Sequence, residues 1–153
     1  MISRILVTLD GSALAESVLP YARDLATRLR AKLLFLRVVE SRTSELMMGE
    51  FVAPDALDAA ARQTEAEKRE AVDYLSRLTR EWNGEGIDAE WEVLEGRPAT
   101  KIIEVARARD IDLIAMSTHG RSGLGKLVFG SVADEVLREC GTPVLLVKNG
   151  SDR

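Results

Sequence analysis

The stretch RILVTLDGS, residues 4–12, runs from a short apolar segment directly into an acid, a glycine and a serine. Four further short segments, several of them nearly continuous in apolar residues, follow it: Lys32–Val39, Ala89–Leu94, Leu113–Met116 and Val144–Val147. Such segments are typical of strands covered on both faces of a parallel sheet. We therefore predict five strands, the first of them spanning Arg4–Leu9.

Apolar residues at helical spacing fill the intervals between these strands. The four patterns are Leu14–Leu29, Leu57–Trp82, Ile102–Ala106 and Val132–Cys140. Pro20 lies inside the first pattern and predicts a kink, because proline removes one hydrogen bond of the helical ladder. Alternating strands and helices predict a doubly wound α/β fold with helices on both faces of a five-stranded parallel sheet.

The segment Glu40–Ala53 has no clean period, and we predict a long loop there, after the second strand. It is more apolar than a solvated loop, because it carries Leu46, Met47, Met48 and Phe51. Two interpretations stay open. The segment is either a flap that folds back on its own domain or a surface that contacts a partner.

Composition excludes several classes of protein. The chain has 153 residues, 46% of them hydrophobic and 30% charged, which predicts one domain over residues 1–150 and a short tail at 151–153. A net charge of −4 without a dense basic block disfavours binding to nucleic acid or to a membrane surface. No uncharged stretch approaches the roughly 20 residues of a membrane span. With a single cysteine and no internal disulfide, we expect a cytoplasmic protein.

The end of the first strand is the first candidate site. In an open α/β sheet, ligands bind beyond the carboxyl ends of the strands, where the strand order reverses. A tight turn and a helix cap account for Gly11 and Ser12, but they leave Asp10 unexplained. Since a carboxylate in this position serves a hydroxyl, a metal or a backbone N–H, we predict a functional role for Asp10.

The link after the fourth strand, residues 116–131 (MSTHGRSGLGKLVFGS), is the second candidate site. Its glycines let a ligand approach the backbone closely, and the helix that begins at Gly130 and Ser131 offers free N–H groups to an anion. Arg121 and Lys126 add positive charge. This pattern is typical of phosphate binding. The alternative is a capping box formed by Ser131 and Asp134, which needs no ligand but does not explain the glycines.

Other phosphate and metal motifs do not fit this link. Gly120–Lys126 has the spacing of a P-loop, but Leu127 follows where that motif needs a hydroxyl for Mg²⁺. The single histidine, His119, cannot form a histidine-based metal cluster, and no nucleophile stands beside it. We interpret His119 as a hydrogen-bonding residue of the loop, and we predict no catalytic residue and no protein-bound metal.

Taken together, these segments resemble the universal stress protein family. The resemblance covers nearly the whole chain and rests on ILVTLDGS, VLPYARDLA, the run Gly96-Arg97-Pro98, MSTHGRSGLGKLVFGSVADEVL and CGTPVLLVK. Its most specific part is the nucleotide motif G-x2-G-x9-G-[S/T], matched by Gly120, Gly130 and Ser131, with Ser117 in place of the first glycine. The family's sheet order is 3-2-1-4-5, which places the first and fourth strands side by side.

The resemblance implies that ATP is the ligand, with Mg²⁺ or Mn²⁺ on its phosphates. The residues implied for the adenine and ribose end are Thr8, Leu9, Asp10 and Val38. Those implied for the ribose and the α-phosphate are Met116, Ser117 and Thr118, followed by His119 in the loop. Those implied for the phosphates are Gly120, Gly130, Ser131 and Val132.

Three functions stay open at this point. The first is an ATP-binding stress-response protein that senses or signals nucleotide state. The second is a slow ATPase or nucleotide hydrolase that uses Asp10 and a divalent metal. The third is an interaction protein in which Ser117 marks a degenerate site. The lack of an activating base and of clustered carboxylates favours binding over catalysis, and the retained Gly120, Gly130 and Ser131 favour binding over degeneracy.

The last strand predicts a homodimer. In the order 3-2-1-4-5, Val144–Val147 is an edge strand, and its four residues are all apolar and uncharged. An edge of this kind is an open template for pairing, and two copies can pair across a two-fold axis. The family resemblance implies the same dimer.

Overall fold

Five parallel strands form one sheet in the structure of the protein, a computed structural model that describes residues 1–49, 51–118 and 130–148. The strands are β1 (Arg4–Thr8), β2 (Lys32–Val39), β3 (Ala89–Glu95), β4 (Leu113–Thr118) and β5 (Val144–Lys148). Their order is β3-β2-β1-β4-β5. The predicted fold class and strand order are therefore confirmed, with strand ends that differ from the prediction by at most two residues.

Five α-helices connect or follow the strands. They are α1 (Leu19–Leu29), α2 (Arg42–Met47), α3 (Pro54–Gly84), α4 (Pro98–Ala108) and α5 (Ser131–Glu139). Of these, α1, α3, α4 and α5 coincide with the four predicted apolar patterns. The helix α2 is new.

The predicted kink at Pro20 is wrong. Residues Ala15–Val18 form a separate 3-10 turn, and α1 begins at Leu19 with Pro20 in its first turn. The N–H groups of a first turn have no acceptor inside their own helix, so a proline there costs no hydrogen bond. Pro20 therefore marks the start of an α-helix.

The prediction of a continuous loop over Glu40–Ala53 is also wrong, because α2 lies inside it. The Ser41 hydroxyl accepts a hydrogen bond from the Ser44 N–H at 3.3 Å and caps this helix. The Arg42 N–H donates to the Thr64 hydroxyl of α3 at 3.3 Å, and the Arg42 guanidinium lies 3.2 Å from the carboxylate of Glu67. The start of the segment thus folds back onto its own domain.

The apolar side chains at the end of α2 and just after it stay exposed. Met47, Met48 and Phe51 are 65%, 91% and 92% exposed. The interpretation of the segment as a flap therefore holds for the first turn of α2 and not for these three side chains.

Both faces of the sheet are covered, as the sequence predicts. Because side chains alternate along a strand, the residues of each strand divide between two cores. One core joins the sheet to α1 and α3, and its largest members are Phe35 and Trp82, whose rings meet edge to face at 5.0 Å. The other joins the sheet to α4 and α5 and contains Leu6, Ile114 and Val136.

The start of β1 is tied to the start of β4. The Asp112 carboxylate accepts hydrogen bonds from the Ser3 N–H, the Ser3 hydroxyl and the Arg4 N–H at 2.8, 2.8 and 2.9 Å. This contact fixes the two neighbouring strands in parallel register, with Ile5 opposite Leu113. Their carboxyl ends consequently lie side by side.

Among the described helices, none combines the length and the hydrophobicity needed to cross a membrane.

Candidate functional site

A cavity of about 460 Å³ opens at the carboxyl ends of β1, β2 and β4. It lies at the point where the strand order reverses, since β1 continues to β2 on one side and pairs with β4 on the other. The starts of α4 and α5 and parts of α2 and α3 complete its walls. This is the position at which doubly wound sheets hold their ligands.

Most of the residues predicted to form the site line this cavity. They are Thr8, Leu9, Asp10, Val38, Met116, Ser117, Gly130, Ser131 and Val132. Thr118 ends β4 and is 6% exposed, but it does not line the cavity. His119 and Gly120, together with Arg121 and Lys126, lie outside the described residues.

The turn after β1 is held by its own side chains. The Asp10 carboxylate accepts a hydrogen bond from the Ser12 N–H at 2.8 Å through Oδ1. The Ser12 hydroxyl accepts one from the Ala15 N–H at 3.1 Å and so caps the 3-10 turn. Gly11 adopts φ +85°, a conformation that favours glycine. The structure gives Asp10 a backbone partner, while its second oxygen, Oδ2, keeps its capacity to accept a hydrogen bond.

The first turn of α5 forms the opposite wall of the cavity. Gly130 occupies the N-cap position with φ +82° and ψ +153°, and its carbonyl accepts from the Asp134 N–H at 3.0 Å. No described atom lies within 4 Å of the position that a Cβ on Gly130 would take.

The capping box predicted as an alternative for Ser131 is wrong. A capping box needs its serine at the N-cap position, which Gly130 occupies, so that Ser131 is the first residue of the helix. Among the described residues, no side chain caps α5. The start of a helix suits an anion, because its first N–H groups lie at the positive end of the helix dipole.

Charged side chains that sequence reasoning missed line the β2 side of the cavity. They are Arg37, Glu40, Arg42, Glu45 and Glu67. Arg42 is paired with Glu67. Arg37 could have been found, because it is the single charged residue inside the apolar run of β2, LLFLRVV.

In the part of the chain that the structure describes, no evident set of side chains could hold a metal ion. No group of three or more histidine, cysteine, aspartate or glutamate side chains is arranged there to hold an ion. A divalent cation at this site would therefore depend on oxygens supplied by the ligand.

The fold and the cavity define a doubly wound α/β protein with a ligand site at the switch point of its sheet. The chain belongs to the universal stress protein family, whose model matches residues 1–148. A curated relative, universal stress protein MJ0531 of Methanocaldococcus jannaschii, is 30% identical over 95% of this chain and 81% of its own length.

Solved structures show the same fold. The hypothetical protein MJ0577 superposes with a TM-score of 0.80 at 24% identity over 99% of both chains. An Arabidopsis thaliana family member with AMP bound gives a TM-score of 0.64 at 14% identity, covering 98% of this chain and 94% of its own. A universal stress protein in complex with cAMP gives 0.60 at 20% identity, covering 97% and 98%. Relatives of this chain thus bind adenine nucleotides.

Proposed function

We propose that this protein binds an adenine nucleotide, ATP in particular, in the cavity at its switch point and acts as a nucleotide-dependent sensor or signalling module. The observation that carries the proposal is the meeting of three features in one cavity. These are the Asp10 turn after β1, the carboxyl end of β4 and the uncapped start of α5.

The start of α5 supplies the phosphate end. Its first N–H groups and its dipole stabilise negative charge, and no described side chain caps these groups or lies near the Cβ position of Gly130. Asp134 is an acid in the first turn, but it is paired with Arg138 at 3.1 Å, which reduces its repulsion of a phosphate. The α5 wall is therefore suited to the charged part of the ligand.

The β1 and β2 side supplies the base and ribose end. Leu9 and Val38 give it an apolar lining, and the Oδ2 atom of Asp10 can accept a hydrogen bond from a ribose hydroxyl. A largely apolar pocket with a few fixed polar groups is the usual form of a small-molecule site. An adenosine group matches this combination.

A divalent cation fits the site only together with the nucleotide. Mg²⁺ keeps several waters and is commonly held by substrate phosphates with one or two carboxylates. Asp10 is the carboxylate next to the Ser12 turn and could supply one such oxygen, but the described residues form no larger ligand cluster.

The AMP and cAMP complexes of relatives support the adenine nucleotide. The preference for ATP rests on the residues Gly130 and Ser131, which match the end of the family's nucleotide motif, and on the N–H groups that follow them. Each additional phosphate adds negative charge that these N–H groups can stabilise.

Calorimetry and thermal unfolding with ATP test the proposal. Ligand at one hundred times its dissociation constant adds about 2.7 kcal/mol to the free energy of unfolding. For a domain of this size that raises the Tm by roughly 5–10 °C. An unchanged Tm in millimolar ATP and Mg²⁺ would leave the interaction protein with a degenerate site as the better hypothesis.

The matched variants Gly130→Ala and Gly86→Ala separate nucleotide contact from backbone strain. Gly130 and Gly86 have φ +82° and +85°, and no described atom lies near either Cβ position, but only Gly130 lines the cavity. Both variants should lose similar stability. Only Gly130→Ala should lose affinity for ATP, because its methyl group covers the approach to the α5 N–H groups. Equal ATP affinity in the two variants would contradict a phosphate site there.

We also propose that the protein forms a homodimer through β5. This strand is an edge of the sheet, and Val144, Leu145 and Leu146 are partly exposed along it. The Pro143 carbonyl accepts from the Ile114 N–H of β4 at 2.9 Å, so in a parallel ladder the N–H groups of Val144 and Leu146 point away from the sheet. Those groups are available to a second copy.

A further inference from the structure

Arg37 lines the cavity, and its side chain has no partner among the described residues. It lies at the carboxyl end of β2, partly buried, on the face of the sheet that α1 and α3 cover. It makes no hydrogen bond and no ion pair with any residue that the structure describes, whereas the second arginine of the cavity, Arg42, is paired with Glu67. A guanidinium that is left unpaired at a cavity wall retains its full capacity to contact a ligand.

The Arg37 guanidinium lies flat against Gly11. Its Cζ, Nη1 and Nη2 atoms are 2.9, 2.9 and 3.1 Å from the position that a Cβ on Gly11 would take. Because these three atoms of one plane are nearly equidistant from that point, Gly11 faces the flat side of the group and not its edge. The absence of a side chain at Gly11 creates the room that the guanidinium fills.

The opposite face of this plane has no described ring stacked on it. Arg23 is the described cation that lies over an aromatic ring, at 4.7 Å from the centroid of Trp82. The Tyr74 hydroxyl donates to Glu16 at 2.7 Å, and burial followed by that hydrogen bond raises the pKa of Tyr74. The positive charge of Arg37 acts to lower the pKa of Tyr74, but the two side chains are not paired.

Strand order places Arg37 at the base end of the cavity. Adjacent strands lie about 4.8 Å apart, and β1 separates β2 from β4. The phosphate wall at Gly130 follows β4, so it lies beyond β1 from Arg37. Val38, the next residue of β2, also lines the cavity, with its side chain on the opposite face of the sheet.

We propose that the Arg37 guanidinium stacks on the purine ring of the bound nucleotide and forms the wall of its base subsite. This inference rests on the proposed function and deepens it. A planar, delocalised cation is attracted to the face of an aromatic ring, and its five N–H groups lie at its edges, so the face is free for stacking. A purine presents more ring surface than a pyrimidine and is therefore preferred.

Calorimetry of adenosine, AMP and ATP with the parent and with Arg37→Ala tests the proposal. Loss of a cation–aromatic contact should weaken the binding of all three ligands by the same factor, about 5- to 30-fold. Arg80→Ala is the control, since it removes a positive charge from an exposed position of α3 that does not line the cavity, and it should leave the three affinities unchanged.

Two further variants separate the flat shape of the group from its charge. Arg37→Lys keeps the charge without the plane, and Arg37→Gln keeps a smaller plane without the charge. Stacking predicts that neither restores the parent affinity. A loss that grows from adenosine to ATP would show a phosphate contact and overturn the proposal. Full rescue by Arg37→Lys would show that the charge suffices without the planar group, and it would also overturn the proposal. So would unchanged affinities in Arg37→Ala. A parent that binds none of the three ligands would instead overturn the proposed function itself.

Discussion

Asp112 is a single residue that connects two distant parts of the chain. The Ser3 N–H, the Ser3 hydroxyl and the Arg4 N–H all donate to it, and these bonds hold the pKa of the Asp112 carboxyl below its ordinary value of 3.8. Since the pKa is lower in the folded state than in the unfolded one, the ionised carboxylate stabilises the fold.

That stabilisation has a defined pH window. It is fully present above pH 3.8, the ordinary pKa, and is lost as the pH falls through the lower pKa of the folded protein. Urea unfolding of the parent and of Asp112→Asn at several pH values measures it. We expect the variant to be less stable at pH 7 and the difference to shrink under acidic conditions. A difference that stays constant from pH 7 to pH 3 would contradict the role of the charge.

Asp10 is the residue through which the alternative of a slow ATPase can be tested. One of its oxygens is committed to the Ser12 N–H. We expect ATP hydrolysis to be far slower than the ~10 s⁻¹ typical of enzymes. A phosphate-release assay on the parent and on Asp10→Asn checks this. Sustained turnover near that rate, abolished in the variant, would favour the hydrolase.

One large side chain contributes strongly to the packing of the long helix α3 against the sheet. Trp82 is 1% exposed, meets Phe35 edge to face and carries Arg23 over its ring. Trp82→Ala should cost about 3–5 kcal/mol in the free energy of unfolding, because it leaves a cavity between α3 and the sheet. Trp82→Phe should cost clearly less, since most of the ring volume remains. Chemical unfolding of both variants measures the difference, and equal losses would contradict a packing role.

Several elements could be predicted from the sequence because their signals are local. The apolar runs of β2 and β5 and the helical spacing in α3 identify those elements directly, and they agree with the structure. The helix α2 could not be predicted, since its six residues, fewer than two turns, are too few to show a period. Its anchor is Thr64, a residue of α3 that lies far along the chain.

The positions of Asp10 and Gly130 at the cavity could be predicted, because an acid just after a strand and a glycine just before a helix are local signals. The contact between Arg37 and Gly11 could not be, because it follows from the pairing of β1 with β2, in which Thr8 stands opposite Leu36. The role of Ser131 could not be assigned either. Whether a serine caps a helix depends on where the helix begins, and Gly130 fixes that point through its positive φ.

The two edges of the sheet differ in a way that bears on assembly. The outer strand β3 carries Glu90, Glu92 and Glu95, whereas β5 has four apolar residues before Lys148. Charged edge strands resist pairing with another chain, and apolar ones permit it. If copies pair through β5 and not through β3, each copy has a single edge for pairing. We therefore expect an assembly of two copies.

Light scattering on the variant Val144→Pro tests the proposed dimer. The substitution removes an N–H that points away from β4, at the first position of an edge strand, where proline is tolerated. Val144→Thr is the control, because it loses similar apolar packing and keeps the N–H. We expect a monomer for the first variant and a dimer for the second. A monomeric parent at micromolar concentration would remove β5 as the interface.

The position of β1 between β2 and β4 has a consequence for synthesis of the chain. Ser3 emerges from the ribosome 109 residues before Asp112. At ~5–20 residues per second, roughly 5–20 s pass before the partner on that side exists. During this interval β2 can already pair with β1, while the other side of a fully buried strand is open to any neighbouring polypeptide. The newborn chain is therefore most vulnerable to aggregation before its last third has been translated.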